Sequence, residues 1–118
     1  MQEDTEETGD QPLWKSLNPA LVEYNDDQAD LLSGVQPFVI FFHAPWDQKS
    51  TELFTDIEEN IASMPGGTVI LWADFDENPD LRERYSVTKQ PTAVLIDADG
   101  ETKKILILPT KSDIASIF

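Results

Sequence analysis

A chain of 118 residues suits a single domain with one hydrophobic core, and 40% hydrophobic residues is the supply of an ordinary globular fold. Eight Lys and Arg against 23 Asp and Glu leave a formal charge of -15, which repels nucleic acid and anionic membrane surfaces. That charge suits a plain solvated surface or a basic protein partner, and the lack of any cysteine removes disulfides, thiolate metal sites and thiol nucleophiles together.

No apolar run approaches the roughly 18 residues of a membrane span. The N-terminus has neither the basic region nor the apolar region of a secretory signal, so the chain reads as cytoplasmic as written. The ER lumen or periplasm applies where a signal has been removed. Residues 1–12 carry Glu3, Asp4, Glu6, Glu7 and Asp10 with no basic residue, which predicts a disordered acidic tail ahead of a domain over 13–118.

After Pro19, Ala20–Tyr24 reads as a short first strand. Asp26 or Asp27 then caps a short helix that ends at Gly34, because aspartate accepts from orphan amides and glycine tolerates a left-handed exit. Behind Pro37, Phe38–Phe42 is a continuous β-branched and aromatic run, suited to a central strand buried on both faces. Over 47–64, Leu53, Phe54, Ile57, Ile61 and Met64 recur at spacings of three and four, forming one helical stripe that Pro65, Gly66 and Gly67 end. Thr68–Phe75 is a second buried strand. Asn78 caps a short helix with Pro79 in its first turn. Ala93–Ile96 and Thr102–Leu108 flank Asp97–Gly100 as a hairpin, and a final helix begins near Ser112 and is cut short at Phe118.

The resulting order is strand, helix, strand, helix, strand, helix, strand, strand, helix. An α/β fold follows, with a central mixed sheet of four to five strands flanked by helices and an antiparallel hairpin at its edge.

Three patterns in this order resemble the thioredoxin family, including protein disulfide isomerase domains. Phe41–Trp46 runs from a strand into Ala44, Pro45 and Trp46, where the family sets its Cys-x-x-Cys motif. Asp76–Pro79 is followed by Leu81 and Tyr85. Gln90, Pro91 and Thr92 match the family's cis-proline and threonine. The resemblance covers roughly 21–118 and implies the thioredoxin fold.

Departures from that pattern bear on function. The two cysteine positions hold Asp47 and Ser50. Phe41 stands where redox-active members keep a buried acid, Trp72 where some keep a lysine, Thr55 for a helix-kinking proline, and Leu108 for a glycine near the peptide groove. Changes at Phe41 and Trp72 argue against a simple cysteine-to-serine variant. The resemblance therefore implies a redox-inactive member without enzyme activity.

The remaining chemistry is sparse. His43, Asp47 and Ser50 fall within eight residues, but a hydrolase triad needs a histidine bonded to the serine and oriented by the acid, and His43 reads as a packing residue. The acidic cluster Asp74, Asp76, Glu77 and Asp80, and the Asp97–Gly100 turn, lack the ligand set of a calcium loop. No metal and no cofactor are implied. Asp47 reads plainly as a helix cap worth about 1 kcal/mol. If Trp46, Asp47, Lys89, Gln90 and Pro91 converge, they keep a peptide-binding groove without its covalent step. The expected function is a protein-binding module acting as chaperone, scaffold or assembly factor. The alternative is a structural module of a larger protein disulfide isomerase-like protein with no ligand of its own.

Overall fold

Every residue of Phe38–His43 is buried, because this strand occupies the middle of a five-stranded sheet. The computed structural model describes residues 13–116, so the stretch read as an acidic tail, 1–12, lies outside the described residues. In chain order the elements are β1 (Ala20–Glu23), α1 (Asp26–Leu32), β2 (Phe38–His43), α2 (Gln48–Asn60), β3 (Val69–Asp74), α3 (Pro79–Arg84), β4 (Thr92–Ile96), β5 (Thr102–Ile107) and α4 (Lys111–Ala115). This is the order expected from periodicity and turn residues.

The strands lie in the order β1-β3-β2-β4-β5. β1 and β2 both run parallel to β3, β4 runs antiparallel to β2, and β5 completes the hairpin expected at the edge. Side chains alternate across the sheet, so Phe38, Ile40 and Phe42 enter one core with Leu71, Ala73, Leu81 and Val94. Val39 and Phe41 enter the other with Leu53, Ile57, Met64, Ile70 and Ile114. The helical stripe predicted over 47–64 is the one that fills this second core, with Phe54 and Ile61 packed at its margin.

Several boundaries differ from the expectation. α1 is capped by Asn25, whose side chain accepts from the Gln28 amide at 3.1 Å, and not by Asp26 or Asp27. Those two aspartates instead occupy the first turn, where their charge complements the helix dipole. The helix ends at Leu32, two residues before Gly34, which supplies the left-handed exit with φ of 83°. Asn78 makes no side-chain cap, because its amide is drawn back to the Asp74 carbonyl at 2.9 Å. α2 stops at Asn60 and Ile61–Ser63 continues as a 3-10 turn. α4 starts one residue before Ser112, with Thr110 and Asp113 bonded reciprocally as a capping box.

One element has no counterpart in the sequence reading. Leu13–Ser16 forms a 3-10 turn lying against Gly66 and Gly67, and the Gly67 amide donates to the Leu17 carbonyl at 2.8 Å. A side chain on Gly66 would strike the Lys15 carbonyl, and one on Gly67 would strike the Trp14 ring. The Pro65–Gly67 stretch therefore follows the 3-10 turn and makes room for an earlier segment.

Candidate functional site

The site begins where β2 ends. The chain turns through Ala44, Pro45 and Trp46, and the Asp47 amide donates back to the Ala44 carbonyl at 3.0 Å. Asp47 is extended, with φ -96° and ψ 127°, and its Oδ2 accepts from the Ser50 amide at 2.9 Å. It is the N-cap of α2, as its position and chemistry predict, and such a cap is worth about 1 kcal/mol. The Thr51 hydroxyl donates to the Pro45 carbonyl at 3.2 Å and holds the turn against the first helical residues.

Trp46 is 64% exposed, yet its orientation is set: the indole Nε1 donates to the Asp76 carboxylate. Asp76 is itself placed by Asp74, whose Oδ1 accepts the amides of Asp76 at 2.9 Å and Glu77 at 3.0 Å. The pairing of Asp76 with Trp46 escapes a sequence reading because the two lie 30 residues apart. Only the parallel pairing of β2 with β3, which sets His43 beside Asp74, brings their two loops together.

The other side of the site is the loop into β4. The Gln90–Pro91 peptide bond is cis, Pro91 is buried, Gln90 is half-buried and Lys89 is exposed. The Thr92 hydroxyl donates to the Lys89 carbonyl at 2.6 Å, and the Leu108 amide donates to the Pro91 carbonyl at 2.9 Å. Because Phe42 pairs with Thr92, the loop after β2 and the loop before β4 leave the sheet at the same end. Trp46 and Asp47 thus share one end of the sheet with Lys89, Gln90 and Pro91. Each set is held by its own bonds, and among the described residues no hydrogen bond joins the two.

Below this surface lies an aromatic box. The His43 ring stacks on Phe54 at 4.6 Å and on Phe41 at 6.0 Å, with Trp72 edge-on to His43 at 6.3 Å and to Phe54 at 5.5 Å. Burial lowers the pKa of His43, opposed by the Asp74 charge and the Ser50 backbone. His43 Nδ1 and Ser50 Oγ are both buried without a hydrogen-bond partner among the described residues. The Asp47 carboxylate serves the Ser50 amide, and no hydrogen bond links His43 to the Ser50 hydroxyl, so the three do not form a nucleophilic triad. Among the acidic residues weighed as calcium ligands, Asp74 and Asp97 are turn formers and Asp80 lies in the first turn of α3. Asp97 Oδ1 accepts the amides of Asp99 and Glu101, and no group of described side chains is placed to hold a metal ion.

No family model matches the chain. It is 29% identical over 100 residues to thioredoxin of Staphylococcus aureus, a match spanning 83% of this chain and 94% of that protein. Mitochondrial thioredoxin of Mus musculus is 31% identical over 71 residues, or 60% of this chain, and the chain spans only 43% of that relative's length. The solved structure of a point-mutant thioredoxin from Halobacterium salinarum superposes with a TM-score of 0.67 at 25% identity, covering 85% of this chain and 87% of that one. The chain belongs to the thioredoxin-like superfamily. Within this thioredoxin-like protein, the two motif positions named by the resemblance carry a cap, Asp47, and a buried hydroxyl, Ser50. The positions named for a buried acid and a lysine, Phe41 and Trp72, form two sides of the aromatic box. Leu108, standing for a glycine, keeps a left-handed backbone with φ of 53°, a conformation costing a residue with a Cβ roughly 1–2 kcal/mol.

Proposed function

We propose that this thioredoxin-like domain binds an extended polypeptide at the end of the sheet carrying Trp46, Asp47, Lys89, Gln90 and Pro91, and acts without thiol chemistry as a chaperone, scaffold or assembly factor. The observation that carries this reading is at Asp47. A carboxylate caps the helix at the first motif position, in a chain with no sulfhydryl, while the loop bearing cis-Pro91 remains at the same end of the sheet. A dithiol exchange has no nucleophile here. What remains is an exposed indole held by Asp76 and a loop with polar backbone groups, features suited to an extended chain.

The test uses a carboxymethylated, permanently unfolded polypeptide with a fluorescent label. Its anisotropy should rise on addition of the protein, and Trp46→Ala and Gln90→Ala should each weaken binding by roughly tenfold, as loss of a central anchor does. Affinity unchanged in both variants would sink the groove and leave the domain as a structural module.

A further inference from the structure

β5 is an edge strand, and among the described residues its one strand partner is β4. The Leu108 amide donates to the Pro91 carbonyl, and Leu106 pairs with Ala93. In an antiparallel ladder, hydrogen-bonded positions alternate, so Leu106 and Leu108 direct their backbone groups inward. The amides and carbonyls of Ile105 and Ile107 therefore point outward along the free edge. Their side chains are also exposed, 41% for Ile105 and 57% for Ile107. Leu106 packs on the core shared with α2 and α4, so Ile105 and Ile107 lie on the opposite face. Apolar side chains and open backbone groups thus coincide at two positions.

Charge selects what can pair there. In a chain with 23 acidic residues, β5 carries Lys103 and Lys104 and no acid. Lys103 sits at a register shift that ends the regular ladder, leaving Lys104 to Leu108 as the pairable stretch. Lysines on an edge strand penalise neutral or basic strands, which would bury the ammonium against an uncharged or like-charged neighbour. An acidic strand converts that penalty into attraction. A second copy of this chain, also at -15, is repelled as a whole.

We propose that the β5 edge is a docking site for an extended segment of another protein that alternates apolar and acidic residues, added antiparallel or parallel to Ile105 and Ile107. This surface is separate from the end of the sheet carrying Trp46. The net charge suits basic partners in general, and β5 is a local exception to it.

Fluorescein-labelled Asp-Val repeat peptides are titrated with the protein, alongside Lys-Val and Ser-Val repeats. The Asp-Val peptide should bind best. Ile105→Pro removes an outward amide and leaves the inner ladder intact, so its far-UV spectrum should match wild type while affinity falls at least about tenfold. The double variant Lys103→Glu, Lys104→Glu should invert the preference toward the Lys-Val peptide, and it decides the matter if the proline variant does not fold. Equal binding of all three peptides, or no change in either variant, overturns the proposal. So does loss of Asp-Val binding in Trp46→Ala, which would place the peptide at the other site. A sedimenting dimer that Ile105→Pro dissolves would also overturn it, because the occupant would then be a second copy.

Discussion

β2 and β5 are both six-residue strands of one sheet, separated only by β4, and they live in different solvents. All six residues of β2 are buried, whereas five of six in β5 are exposed and Leu106 is only half-buried. The apolar run from Ile105 to Leu108 would serve as well as Phe38–Phe42 in a core. Hydrophobicity along a strand therefore reports where it can go, and neighbours decide where it does. β2 has a strand on each side and helices on both faces, while β5 has one strand neighbour among the described residues.

The contrast predicts very different responses to truncation. Phe41→Ala removes a fully buried ring stacked on His43 and Phe54 and should lower unfolding free energy by about 3–5 kcal/mol in denaturant titration. A loss below about 1 kcal/mol would mean that this face of β2 packs loosely.

A smaller effect is expected at the end of the same strand. Since the pKa of His43 is lowered in the folded protein, the unfolded chain takes up the proton first as pH falls below 6.5. Stability then declines with acidification, by at most about 1.4 kcal/mol per pH unit for one proton, until folded His43 also protonates. Thermal melts of wild type and His43→Leu between roughly pH 7.5 and 5.5 isolate this term from the carboxylates. Parallel curves would show that the histidine is not held neutral by its surroundings.

The smallest response belongs to β5. Ile107→Ser should change stability by no more than about 0.5 kcal/mol, because its side chain is 57% exposed and its backbone bonds do not join β4. A loss near that of Phe41→Ala would erase the distinction between the two strands.

Much of this architecture could be read directly from the chain. The stripe from Leu53 to Met64 announced a helix because its spacing admits no other regular structure, but the helix gives way to a 3-10 turn at Ile61, ahead of the expected stop at Pro65–Gly67. The strand at Phe38 and the Asp97–Gly100 turn were legible for the same local reasons. Caps were less so: Asn25, Asp26 and Asp27 can each accept from a helix amide, and only backbone geometry chooses among them. Asn78 reads as a cap until Asp74 offers its carbonyl.

At the candidate site, Asp47 was legible as a cap and Pro91 by its resemblance. The Trp46 bond to Asp76 and the seating of Leu13–Ser16 on Gly66 and Gly67 join distant parts of the chain, so no local pattern carries them. The aromatic box was half visible. Phe41 and Trp72 stood out as departures, but the packing of Phe54 against both His43 and Trp72 depends on how α2 rotates over the sheet.

Asp47 has one more consequence. A thiol at a helix start exists in two oxidation states and answers to the glutathione poise around it, whereas a carboxylate has no oxidised partner. The fastening of α2 to the turn after β2 is consequently the same under reducing and oxidising conditions. The start of α2 therefore does not register the redox state of its surroundings.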